Sequence, residues 1–184
     1  MTPRIEHLQL LATYNRWMND KVYAAASRLD DEDLARDRGA FFGSVLGTLN
    51  HLVVADTMWL QRFARHPRGW SQLAPVLRLA APAGLDAIVF ASLPDLARRR
   101  AELDERIADW IPALRDEDLD GPLRYANSKG QAQSRNFHGV LVHFFNHQTH
   151  HRGQATTLLT QAGIDVGVTD LVRLVPEQSD QAPG

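Results

Sequence analysis

Apolar residues recur at every third or fourth position over four long stretches of the chain, and polar breaks separate the stretches. The first predicts a helix over residues 3–28, with Ile5, Leu8, Leu11, Ala12, Trp17, Val22 and Ala25 as its buried stripe. Thr2 suits its N-cap and Pro3 its first turn. Asp30-Asp31-Glu32-Asp33 then reads as a polar turn that opens a short helix. A second long helix is expected over 44–65, stopping short of Pro67, which together with Gly69 marks a loop. Residues 66–92 are interrupted by prolines and glycines and predict a long connection holding only short regular pieces. The third helix is expected over 92–114, with Ser92 and Asp95 spaced as in a capping box. The fourth is expected over 136–162, with Gly163 as its stop. Between them, residues 120–135 are polar and suggest a small hairpin, 123–126 against 131–134 across Asn127-Ser128-Lys129-Gly130. The fold expected is all-α, a four-helix bundle with a small hairpin inserted before the last helix. Residues 1–175 form its single domain and 176–184 a tail.

The two halves of the pattern resemble each other. Phe41-Phe42-Gly43-Ser44-Val45-Leu46 leads to Asn50-His51, and Phe137-His138-Gly139-Val140-Leu141-Val142 leads to Asn146-His147 with the same spacing. An Asp-Glu-Asp-Leu precedes each, at 31–34 and 116–119, and a long helix precedes that. A duplicated helical hairpin accounts for this, with the polar hairpin as extra material in the second copy. His51 and His147 would then face each other across one axis.

Composition removes several function classes. The net charge of −2 gives no global attraction to nucleic acid or to an anionic membrane. The one basic run, Arg98-Arg99-Arg100, is followed closely by Glu102, Asp104 and Glu105 and reads as a solvated helix face. With no cysteine, disulfides, thiolate metal sites and a cysteine nucleophile are excluded. Met1-Thr2-Pro3-Arg4 runs into an amphipathic pattern without a basic-then-apolar leader, and no stretch approaches the ~20 apolar residues of a membrane span. A cytoplasmic location is expected. Histidine is the anomaly, since half of the eight copies fall within 143–151.

His147 and His151, four apart on a predicted helix, put both imidazoles on one face, where two ring nitrogens can reach one ion. His51 is the natural third ligand because its helix carries the matching Asn-His. The position in the first half that corresponds to His151 is Ala55, so the site would have three protein ligands and open positions, the pattern of a catalytic ion. His143 competes for a place, but His143 and His151 are ~12 Å apart along a helix axis, too far for one ion to take all three of that helix. His150 points away from His151 and reads as a surface or supporting group. Three imidazoles suit a divalent metal ion, with zinc or nickel foremost and iron or copper also compatible. The triad has no carboxylate and the chain no His-Glu-x-x-His, which disfavours a di-iron centre and a zincin protease. An ion with open positions lowers the pKa of a bound water or thiol and polarises a carbonyl. Asp56 and Arg152 are candidate supporting residues: Asp56 to orient an imidazole or make a surface salt bridge, Arg152 to hold a substrate carboxylate or form an ion pair inside the bundle. Trp17, Trp59 and Trp110 read as core before substrate platform.

The run Asn146-His147-Gln148-Thr149-His150-His151-Arg152-Gly153-Gln154 resembles the signature of the DinB/YfiT-like metalloprotein superfamily. His51, Asp56 and Trp59 look like its second-helix pattern, Asn15-Arg16-Trp17-Met18-Asn19 like its first helix, and Val168-Thr169-Asp170-Leu171 like its closing segment. Carried over residue by residue, the family's metal triad falls on His51, His147 and His151. The resemblance implies a metal-dependent enzyme that acts with a low-molecular-weight thiol such as mycothiol, bacillithiol or glutathione, as an S-transferase or isomerase. It also implies a small-molecule substrate and a homodimer. The alternative is a metal-stabilised binding or stress-response protein without turnover.

Overall fold

The computed structural model describes residues 2–177, so the tail expected at 176–184 falls almost wholly outside the described residues. Helix α1 (Pro3–Ala26) starts on a proline whose fixed φ suits the first turn. Thr2 precedes it without capping it. Its hydroxyl donates instead to Asp116 at 2.6 Å, and Arg4 pairs with Asp116 and Asp120, which ties the start of α1 to a distant turn. Helix α2 (Asp31–Ala35) is capped by Asp30, whose carboxylate accepts from the Asp33 N–H, and it buries Leu34. Helix α3 (Val45–Ala64) is capped by Ser44, which accepts from the Gly47 N–H. The long connection contains one 3-10 segment, Ser71–Arg78.

Helix α4 (Leu93–Trp110) begins after Ser92, but the expected capping box does not form. Asp95 turns outward to Arg98 at 2.8 Å, and Pro94 already removes one of the N–H groups a cap would serve. The expected helix end at 114 is shortened because Pro112 breaks the ladder and leaves a 3-10 turn, Ile111–Ala113. Strands β1 (Pro122–Ala126) and β2 (Ala132–Asn136) form the hairpin, with Ala126 opposite Ala132. This register is one residue later on the second strand than expected. Gly130, at φ +74, adds a left-handed residue to the turn and places Gln131 in the loop, where its N–H bonds to the Asn127 side chain. Helix α5 (Phe137–Gln161) is capped by Asn136 and closed by Gly163 at φ +78, whose successor Ile164 donates to the Leu159 carbonyl.

The result is a helical bundle with a small two-stranded sheet. Helix α1 packs between α4 and α5, and α3 also packs against both. Leu8, Val22, Leu49, Leu60, Phe63, Leu103, Ile107, Trp110 and Phe144 fill the core. Burial of apolar surface, at roughly 25 cal/mol per Å2, is the main stabilising term for such an assembly. No helix of the described residues is long and apolar enough to cross a membrane.

A polar layer crosses this apolar core. Arg100, Asp104, Asp56, Arg152, Asn15, Asn19 and Gln148 are all buried. Arg100 bonds to Asp56 and, at 3.1 Å, to Asp104; Asn15 and Asn19 donate to Asp104 at 2.9 and 3.0 Å. Burial opposes the charge on Arg100, but Asp104 and Asp56 outweigh it and hold the guanidinium above its ordinary pKa. Each charge in the layer meets a charge or an amide, which is the condition for burying it.

Candidate metal centre

His51 reaches the interface from α3, and His147 and His151 reach it from α5, the helix packed against α3. One turn of α5 separates the latter pair, so their rings are neighbours at 4.4 Å between centroids. The His51 ring lies 4.4 Å from His151 and 5.2 Å from His147. One ring nitrogen from each of the three lies within 4.8 Å of the other two, and Nε2 of His51 is 3.3 Å from Nε2 of His147. His51 is buried; His147 and His151 are partly exposed.

Neighbouring groups fix the orientation of two rings. His51 Nδ1 lies 2.8 Å from the Leu85 carbonyl oxygen, and His151 Nδ1 lies 2.7 Å from Oε1 of Gln154. Both oxygens are acceptors, so each Nδ1 carries the proton and each Nε2 keeps its lone pair. Phe42 stacks on His51 at 3.8 Å and touches the edge of His151 at 5.5 Å, covering one side of the cluster. The Leu85 loop is itself anchored by Asn50, the residue before His51. Its amide donates to the Phe90 carbonyl and accepts from the Phe90 N–H, each at 2.9 Å.

All three rings are biased toward the neutral form. Burial, and then the neighbouring histidines, push His147 down to about 3. Burial lowers His51 against the opposing Leu85 bond, and lowers His151 against the opposing Gln154 bond. Neutral imidazoles whose ring nitrogens gather this closely suit a cation. The buried Nδ1 of His147 has no partner among the described residues. The donor set fits a divalent ion of the zinc, nickel, iron or copper type, with no carboxylate or thiolate among its members.

The other candidates lie elsewhere. His143 is exposed, one turn before His147, with its ring edge-on to Trp59 at 5.4 Å. His150 is exposed and within 3.4 Å of Gln154. Asp56 hydrogen-bonds to no imidazole; it pairs with Arg100 and accepts from Gln148 at 2.8 Å, and so is no surface bridge either. Its charge still favours protonation of His151 through space. Arg152 makes no ion pair among the described residues; it bonds to the side-chain oxygens of Asn15 and Asn19, and burial lowers its pKa to about 10. Its side chain is buried in the core. Trp110 is fully buried, while Trp59 stands in the wall of a cleft. This cleft of about 250 Å3 is lined by His51, His147, Ala55, Trp59, Arg62 and Tyr125 among others. The Leu85 carbonyl and Arg62 are the site residues that the sequence pattern did not single out, and Phe42 entered it only as part of the repeated segment before His51. Gln154 lay inside the quoted run, three residues after His151 and so within its reach.

Comparison with known proteins adds two findings. The family model described as DinB family matches residues 5–181. The chain is also 28% identical to the protein named Protein DinB of Bacillus subtilis (strain 168) over 162 residues, which cover 87% of this chain and 88% of that protein.

Proposed function

The chain belongs to the DinB family, and from that premise we propose that His51, His147 and His151 hold one divalent metal ion through their Nε2 atoms. In this reading the protein is a metal-dependent enzyme acting on a small molecule with a low-molecular-weight thiol, as an S-transferase or isomerase. One observation carries it: three imidazoles converge within 4.8 Å, and two of them, His51 and His147, line a cleft. When bound, such an ion makes a thiol more acidic and polarises a carbonyl. The chain's own groups do the rest. Leu85 and Gln154 set the tautomers of His51 and His151, Phe42 keeps water from one side, and the cleft leaves the other side open. Because the chain has no cysteine, the sulfur comes from the cosubstrate.

The same reading takes the fold as a four-helix bundle built from a duplicated hairpin, and pairs as a homodimer. Support for the duplication extends beyond the sequence motif. With the 31–34 and 116–119 motifs aligned, Leu8 matches Leu93, Met18 matches Leu103 and Val22 matches Ile107, all buried. Asn15 and Asn19 match Arg100 and Asp104; with His51 aligned on His147, Asp56 matches Arg152. The pairs Asp56–Arg100 and Arg152–Asn15 are thus counterparts. The Phe-Gly segments differ, since Phe137 is buried in the first turn of α5 and Phe41 is exposed in the loop before α3.

The test is a panel of glutathione, bacillithiol and mycothiol, each with an electrophilic acceptor, offered to metal-loaded and chelator-treated protein. Thiol consumption is expected only with metal, and should vanish in His151→Ala. A second reading, a metal-stabilised protein without turnover, draws on the ligands bridging α3 and α5, where an ion would cross-link two helices. No thiol consumption, together with a large loss of thermal stability on metal removal, would establish it instead.

A further inference from the structure

Arg62 is out of place as a surface residue. It sits on the same face of α3 as His51, and its guanidinium lies 4.5 Å from the Trp59 ring centre and 4.9 Å from that of Tyr125. No carboxylate pairs with it among the described residues, although most arginines of this chain that are buried or held by tertiary contacts have an acidic or amide partner. Burial lowers its pKa, against the opposing influence of Tyr125. Trp59 and Tyr125, edge-to-face with each other at 5.3 Å, both pack against the guanidinium, and none of its N–H groups makes a hydrogen bond among the described residues.

Arg62 borders the cleft of His51 and His147. A second hollow, of about 390 Å3, adjoins the cleft and shares Trp59, Tyr125 and His143 with it. Arg135 lines the second hollow, Ser128 lines the first, and no aspartate or glutamate lines either. Ser128 is exposed, and its hydroxyl can donate to a ligand in the first hollow. An open, cationic, aromatic-walled cleft with unused donors is built for an anion that also has apolar surface.

Resting on the metal reading above, we infer that Arg62 is a specificity residue of that site and receives the carboxylate of an organic-acid ligand whose other end reaches the histidine cluster. A carboxylate is the matching anion because one planar guanidinium presents two parallel N–H donors to it. Arg62 and His51 are eleven positions apart on one helix, a rise of about 16 Å between backbones. The guanidinium lies over Trp59, three residues earlier in α3, so the long Arg62 side chain shortens part of that span. The ligand is therefore an extended acid, with several atoms between carboxylate and donor group, and a two-carbon acid would not span the cleft.

The probes are mercaptohexanoate and mercaptohexanol, which share a thiol and a chain and differ in the terminal charge. Calorimetric titration of the full chain, zinc-loaded and metal-free, gives their affinities for the wild type, Arg62→Gln and Arg62→Lys. Zinc-loaded wild type should bind the acid at least roughly tenfold more tightly than the alcohol, the scale of a charge-assisted hydrogen bond to a half-exposed group. Arg62→Gln should remove that preference while leaving alcohol affinity and zinc content unchanged, and Arg62→Lys should keep part of it. Equal affinity for acid and alcohol in the zinc-loaded wild type would overturn the proposal, as would a preference that survives in Arg62→Gln. A protein that takes up no zinc would defeat the metal reading alone. The preference of the metal-free wild type for hexanoate over hexanol, and its loss in Arg62→Gln, would then still decide the role of Arg62.

Discussion

At the scale of single residues, two of the three imidazoles are oriented by an oxygen from elsewhere in the chain, Leu85 for His51 and Gln154 for His151. Two histidines four apart on a strong helix advertise a shared face, and the repeated Asn-His indicated the third. The Leu85 carbonyl carries no side-chain signal, since any residue at that position offers the same oxygen. Asn15 and Asn19 break the apolar stripe of α1, so a hydrophobicity pattern assigns them to solvent, whereas Asp104 draws both into the core. Arg62 looks in sequence like any helix-surface arginine. The residue-scale prediction concerns acid. His147 is held near 3 in the folded chain, against ~6.5 for a free histidine. Between those values the unfolded chain binds a proton that the folded chain does not, so stability is complete above ~6.5 and falls as pH drops toward 3. His51 and His151 are lowered too and act in the same direction. The urea midpoint of metal-free protein should fall between about pH 7.5 and about pH 5, with a smaller fall in His147→Ala. Buried Asp56 and Asp104 are raised and act in the opposite direction, so the comparison decides: a fall in His147→Ala as large as in the wild type would contradict the neutral cluster.

At the scale of elements, periodicity gave the long helices to within a few residues, because a buried stripe and a proline or glycine stop are local features. Caps were less legible. Ser44 and Asn136 cap as their residue types suggest, but Thr2 and Ser92 do not, because Asp116 captures the first and Pro94 sits in the first turn after the second. The hairpin appeared where polarity placed it, and its register moved because Gly130 takes a left-handed conformation that composition does not reveal. The connection before α4 carries the element-scale prediction. Asn50 holds it at Phe90 through both backbone groups, and five residues earlier the same connection presents the Leu85 carbonyl to His51. Asn50→Ala leaves an N–H and a carbonyl without partners, a cost of about 1–3 kcal/mol. It should also loosen the loop, so that His51 loses the acceptor that fixes its tautomer. Metal affinity should fall by about tenfold, the low end of what a supporting group contributes. Faster hydrogen exchange at Phe90 would confirm the route, and unchanged exchange with weakened metal binding would exclude it.

At the scale of the whole molecule, one helix pair does two jobs. Helices α3 and α5 bring the three imidazoles together, and the same helices send Asp56, Gln148 and Arg152 into the polar layer beside them. The layer and the apolar core hold the bundle without help from the site, so the fold should outlast the loss of any one ligand. That separation makes the central claim directly measurable. Protein purified without an affinity tag is analysed for metal, alongside the His51→Ala, His147→Ala, His151→Ala and His143→Ala variants, each with its helicity followed by far-UV circular dichroism. The account predicts about one divalent ion per chain in the wild type and in His143→Ala, severe loss in the other three, and helical spectra throughout. A wild type that neither contains metal nor takes up zinc or nickel would contradict it, as would a His143→Ala variant that loses the ion while His151→Ala keeps it.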